Sequence, residues 1–191
     1  MSLSCPLPPT YKAGVPEPAT VWTIGHSTRS FDAFLALLAE HHIGALVDVR
    51  TVPRSRRHPH FSKGAVEAGL REAGVDYEHA PGLGGLRKPQ ADSRNAGWRH
   101  ESFRGYADHM QGDLFRDAMD RLEGGAVRVA TAVMCAEAVW WQCHRQLIAD
   151  ALVARGHEVR HILGPGQWQV HRLTSFARVR AGRVDYPGLL D

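Results

Sequence analysis

Two thiols, a carboxylate, an imidazole and a guanidinium crowd into one short stretch of this chain: Met134-Cys135-Ala136-Glu137 and, a few residues later, Cys143-His144-Arg145. A cysteine is a nucleophile or a metal ligand only as its thiolate, and a nearby imidazolium, guanidinium or helix N-terminus favours that form. Cys135 is therefore the candidate nucleophile, with Glu137 or His26 as acid/base. The competing reading makes Cys135 a small buried hydrophobe, because free cysteine is among the most buried residue types. Arg145 brings a planar fork suited to phosphate or carboxylate; alternatively it bridges to Glu137 while His144 caps a helix. Cys135, Cys143, His144 and a histidine such as His26 also have the ligand types of a zinc site. Their spacing fits no standard zinc pattern, so the residues by themselves assign no metal and no cofactor.

Two further segments carry complementary groups. Gly25-His26-Ser27 follows a short apolar run. It is either a simple turn with Ser27 bonding the backbone, or a source of a hydroxyl and an imidazole that titrates near neutrality. Asp48 and Arg50 close another apolar run, two residues apart and so on one face; an Asp–Arg pair there would aim the guanidinium at a ligand. From Arg50 to Lys63 there are five basic residues, with His58, His60 and no acid. Such a block suits an anionic partner, or is a solvated loop. Ser27, Arg50, Ser55, His144 and Arg145 make up the candidate anion-binding set.

A regular scaffold has to position these groups. Residues 21–24, 45–49, 75–79, 127–134 and 158–163 read as strands, and the most apolar of these lack polar alternation. Helical patterns span 31–43 with Ser30 as cap, 62–73 with Ser62 as cap, 103–110, 114–122 and 143–154. Strands that alternate with helices and are apolar throughout imply a parallel sheet covered on both faces. The expected fold class is α/β: a single-domain, three-layer fold over residues 20–191, with a mainly parallel sheet of about five strands, preceded by a flexible tail at 1–19. Right-handed crossovers then bring the ends of strands one, two and four to one edge, where open α/β sheets bind ligands. The helix opening near Cys143 adds free N–H groups for an anion. The Gly-rich stretch 80–99 is long enough to act as a lid. Beyond Gly166 the pattern gives a short helix or coil, then a hairpin across Gly182.

Composition sets outer bounds. A length of 191 residues suits one domain with its own core. Hydrophobic content of 43% and charged content of 23% match a globular chain, and a net charge of +3 is too small to imply nucleic acid by itself. Three cysteines, one of them Cys5 in the tail, make no disulfide framework. No apolar run reaches the roughly 18 residues that a membrane helix needs, and the Pro-rich start lacks a signal pattern. The expected setting is cytoplasmic, without a membrane partner and with reduced thiols.

Thr23-Ile-Gly-His-Ser27, Leu46-Val-Asp-Val-Arg50 with Pro53 and Ser55, Tyr77 with His79, Leu83-Gly-Gly85, Tyr106-Ala107, Met134-Cys-Ala-Glu137 and Cys143-His-Arg145 together resemble the bacterial and archaeal family called domain of unknown function 488. The resemblance implies an α/β fold and no particular reaction. A weaker likeness, in architecture alone, is to rhodanese-type sulfurtransferases and cysteine phosphatases. Those enzymes place an anion-binding loop directly after the cysteine, whereas the first arginine after Cys135 is Arg145.

The residues point to an anion pocket for a phosphate, a nucleotide or a nucleic-acid fragment, in a cysteine-dependent transferase or hydrolase. Arg50 and Arg145 would clamp the anion, so Arg50→Ala would weaken anion binding and leave the domain folded. Two alternatives stay open: a non-enzymatic nucleic-acid-binding module using the basic block, and a zinc-dependent site. No G-x-G-x-x-G follows a strand and no P-loop is present, so nothing specifies a dinucleotide.

Overall fold

The computed structural model describes residues 17–54 and 57–188. Five parallel strands, β1 (Thr20–Gly25), β2 (Ala45–Asp48), β3 (Asp76–His79), β4 (Thr131–Cys135) and β5 (Glu158–Gly164), are joined by an antiparallel edge strand, β6 (Gln167–Val170). The sheet order is β3-β2-β4-β1-β5-β6. Helices α1 (Phe31–Glu40) and α2 (Lys63–Glu72) cover one face; α3 (Glu101–His109), α4 (Asp113–Ala126) and α5 (Arg145–Ala154) cover the other. This is a three-layer α/β domain.

The strand alternation explains both cores. Trp22, Ile24, Leu46, Ala132 and Met134 point to Phe34, Leu38 and Leu70 of α1 and α2. Their sequence neighbours Val21, Val47, Val133 and Cys135 point to Tyr106, Met119, Leu147 and Ile148. A strand buried on both faces has no polar side to show, which is why these runs are continuously apolar. Cys135 thus sits on the α3–α5 face, at the last residue of its strand.

Several boundaries differ from expectation. Val127 to Ala130 are not strand: Val127 N–H bonds back to Glu123 O at 3.2 Å and Arg128 N–H to Gly125 O at 2.9 Å, finishing α4. Val127 and Val129 mislead by residue type alone, since both are exposed where the helix ends. Ser30 does cap α1, its Oγ accepting from Ala33 N–H at 3.2 Å; Ser62 precedes α2 without a side-chain cap bond. β6 is a sixth strand where coil or helix was expected. Its side chains are all exposed, so it carries no burial pattern and exists through backbone pairing with β5. The terminal hairpin is present: β7 (Arg178–Arg180) and β8 (Arg183–Asp185) turn at Ala181 and Gly182, both at positive φ. Of the expected flexible tail, residues 1–16 lie outside the described residues. Ala19 is already docked, with its N–H on His157 Nδ1 at 3.2 Å.

Candidate functional site

β2, β4 and β1 are sheet neighbours, and their carboxyl ends lie side by side: Gly25 is in register with Cys135, and Asp48 with Met134. His26, Arg50 and Cys135 therefore meet at one edge. After Cys135 the chain folds back over the end of β1, with His26 N–H bonding Cys135 O at 3.0 Å and Ser27 N–H bonding Ala136 O at 2.9 Å. Only glycine fits beneath that crossing. A Cβ on Gly25 would run into the Glu137 carbonyl and come 2.9 Å from the Arg145 guanidinium.

The crossing frames a cavity of about 370 Å³, lined by Cys135, Cys143 and His144 at its floor, Tyr106, Phe103 and Leu86 on its apolar wall, and Arg54 and Glu137 among its polar residues. That volume is in the range of small-ligand sites. Cys143 Sγ is 3.6 Å from His144 Nδ1. His144 Nε2 is 3.1 Å from Val49 O. A carbonyl only accepts, so the ring proton belongs on Nε2 and the Nδ1 lone pair faces the thiol. Gly85 packs against that nitrogen, where a Cβ would lie 2.9 Å from it.

The two thiols share their protons unequally. The hydrogen bond between them, together with burial, pushes Cys135 up. The same bond draws Cys143 down against its burial, helped by His144 and Arg145. Cys143, rather than Cys135, is thus the sulfur that favours the anion. Arg145 is almost fully buried. It donates to the backbone carbonyls of Glu137 at 2.5 Å and Ala138 at 3.4 Å, and its Nε has no partner. Among the described residues no carboxylate pairs with it, so its positive charge acts on the two thiols.

The other expected site residues are placed as follows. Arg50 lies at the cavity but is spent on other partners: Asp48 through Nε at 2.8 Å and a terminal nitrogen at 2.5 Å, and Phe61 O at 2.7 Å. Arg145 holds the 137–138 loop from below and does not line the cavity. Both guanidinium groups of the expected clamp are thus held by groups of the fold, and of the two only Arg50 borders the cavity. Glu137 keeps its carboxylate exposed at the cavity, with only its backbone oxygen on Arg145. His26 is buried with Nδ1 3.0 Å from Ser27 O and Nε2 3.4 Å from Arg50. Burial lowers its pKa to about 4, Arg50 adding to the effect against the Ser27 bond. It stands as a neutral ring stacked 4.2 Å from Phe61. Ser27 lies in the turn at a φ of 49° and does not line the cavity. Ser55 lies outside the described residues.

Three features escaped sequence reasoning. Cys143 was legible only as a possible metal ligand beside Cys135 and not as the thiol whose pKa is drawn down. Thr51, whose Oγ1 donates to Gly85 O at 2.9 Å, ties the Gly-rich stretch to β2; nothing in its local pattern marks it. A buried chain also backs the loop: Thr23 Oγ1 to His161 at 2.7 Å, His161 to His171 at 3.0 Å, and His171 to Asp150 at 2.9 Å. Trp140 stacks on His161 at 4.0 Å, which anchors the segment between the two cysteines.

Residues 30–152 match the protein family described as Domain of unknown function DUF488. The chain belongs to that family. The matched span runs from the start of α1 into α5 and so includes Arg50, Tyr106, both site cysteines and His144, while His26 and Ser27 precede it. The chain matches no curated protein and no solved structure. Among the described residues, no helix is long and apolar enough to cross a membrane.

Proposed function

We propose that this DUF488 protein is a cysteine-dependent transferase or hydrolase acting on a small anionic substrate, with Cys143 as the nucleophile. The observation that carries the reading is the buried Arg145. Among the described residues it has no carboxylate partner, and it lies beside two thiols, one of which can hydrogen-bond the charge on the other. A thiolate on Cys143 would balance it. The position just ahead of α5 adds the partial positive charge of a helix N-terminus.

Each group then has a role. The Cys143 sulfur attacks the electrophilic centre, forming a bond to sulfur as the leaving group departs. The Cys135 S–H holds Cys143 in place. Glu137, exposed at the cavity, carries a proton to or from the leaving group or the incoming water. Arg54 supplies positive charge for an anionic substrate, while Arg50 and Arg145 hold Asp48, Phe61 and the 137–138 carbonyls. The apolar wall of Phe103, Tyr106 and Leu86 excludes water from the sulfur.

The test is alkylation of the full chain by iodoacetamide at pH 7, mapped by mass spectrometry, in a Cys5→Ser background. Cys143 is expected to react at least ~10-fold faster than a free cysteine, since a tenfold factor is about 1.4 kcal/mol and hydrogen bonds to charged groups are worth more than that. Cys135→Ser is expected to slow it. Equal, slow reaction at both sulfurs would overturn the reading.

A further inference from the structure

We propose that Cys135, Cys143 and His144 also form a seat for one soft divalent cation of the zinc class, with its fourth coordination position open to the cavity. Their three ligand atoms lie within 4.8 Å of one another. A tetrahedral zinc ion, with bonds of about 2.3 Å to sulfur and about 2.0–2.1 Å to nitrogen, holds those two atoms about 3.6 Å apart. Cys143 Sγ and His144 Nδ1 are 3.6 Å apart.

The histidine is oriented for the task. Its Nε2 faces the Val49 carbonyl at 3.1 Å, which leaves Nδ1 unprotonated and turned to the thiols. Metal-binding histidines are commonly fixed in this way by a carbonyl on the other nitrogen. Gly85 keeps that lone pair clear, since any side chain there would crowd Nδ1. Both sulfurs are buried, so the set is a preformed cluster rather than an exposed patch of donors. Three protein ligands bordering a cavity of about 370 Å³ have the open form of a reactive centre; structural zinc sites are closed by a fourth protein ligand.

The inference rests on the reading above in one respect, that both sulfurs face the cavity, and adds a control on it. On binding, Cys135 gives its proton to solvent and both sulfurs donate to the metal. A Cys143 lone pair given to a metal is no longer available to an electrophile. The loaded and the nucleophilic centre therefore exclude each other, and the cation switches the thiol chemistry off.

The test uses the full Cys5→Ser chain, stripped with chelator, with Co²⁺ and Zn²⁺ as probes. One equivalent of Co²⁺ is expected to give thiolate charge-transfer absorption that Zn²⁺ displaces. Cys135→Ser, Cys143→Ser and His144→Ala are each expected to weaken Co²⁺ binding at least tenfold, with circular dichroism checking that each variant is folded. Zn²⁺ is expected to slow alkylation of Cys143 at least tenfold in the unsubstituted site, a readout that needs no variant. Absence of the absorption band, or stoichiometric metal indifferent to all three substitutions, overturns the seat. If the seat fails and Cys143 still alkylates fast, the nucleophile reading stands alone. If Cys143 is inert as well, both fall. A full Co²⁺ band with an inert apo Cys143 keeps the seat and removes the nucleophile.

Discussion

Arg50 grips Asp48 with two nitrogens, at 2.8 and 2.5 Å, and both side chains are buried. Tyr77 OH adds a third bond to Asp48 at 2.9 Å, and burial with the nearby Asp48 charge pushes the phenol well above its ordinary value. The pair stitches β2, β3 and the segment around Phe61 together. Arg50→Ala leaves a buried carboxylate without its counter-charge, which costs about 3–5 kcal/mol. Urea denaturation is expected to show that loss. A variant as stable as the parent would mean that Arg50 is free to serve a ligand.

Gly25 is held small by the chain that crosses it. Gly25→Ala forces the Glu137 carbonyl and the Arg145 guanidinium away, an overpacking change worth about 1–3 kcal/mol. It is also expected to slow Cys143 alkylation, because the same loop ends in Cys143. Gly64 in α2 is the control: nothing lies within 4 Å of a Cβ built there. Gly64→Ala is expected to be neutral or to stabilise by up to about 1 kcal/mol. Equal stability of the two variants would contradict the crossing.

Arg145 and Glu137 are linked through backbone, not through an ion pair. Glu137→Gln is therefore expected to change stability by less than about 0.5 kcal/mol while altering turnover, once a substrate is in hand. Arg145→Met removes the loop's anchor and the charge beside the thiols. Cys143 alkylation at pH 7 is expected to fall severalfold, because the guanidinium charge that favours the thiolate is lost. Loss of stability in Glu137→Gln equal to that in Arg145→Met would argue for a carboxylate–guanidinium bridge.

His161 is buried between Thr23, His171 and Trp140. Burial, with His171 and Arg145 adding to it, lowers its pKa to about 2. The unfolded chain takes up a proton on this ring below about pH 6.5 and the folded chain does not. Its contribution to stability is complete above that pH and drains away as the pH falls, at up to about 1.4 kcal/mol per unit. His161→Gln is expected to flatten the decline of unfolding free energy between pH 6 and pH 5. His26 titrates in the same sense in both proteins, so the difference isolates His161. Parallel curves would place a proton on His161 in the fold.

Much of this was readable from the sequence for a physical reason. A buried parallel strand must be apolar on both faces, so β1, β2 and β4 stand out as short runs ending in Gly25, Asp48 and Cys135. Right-handed crossovers then leave little choice about which ends meet. β6 was not readable, because an edge strand with exposed side chains is held by backbone bonds that leave no side-chain pattern. The end of α4 was misread because Val127 and Val129 suit a strand and a helix end equally.

What the sequence determined by itself is the set of reactive groups and the sheet edge where they gather, since both follow from residue type and strand order. Only the tertiary structure decided which partners hold each group. Whether Arg50 and Arg145 meet a ligand depends on which buried carboxylates and carbonyls reach them first, and those partners lie at Asp48, Phe61 and Glu137. Which sulfur carries the charge depends on the imidazole and guanidinium packed around it, and that neighbourhood exists only once α5 has docked on the sheet.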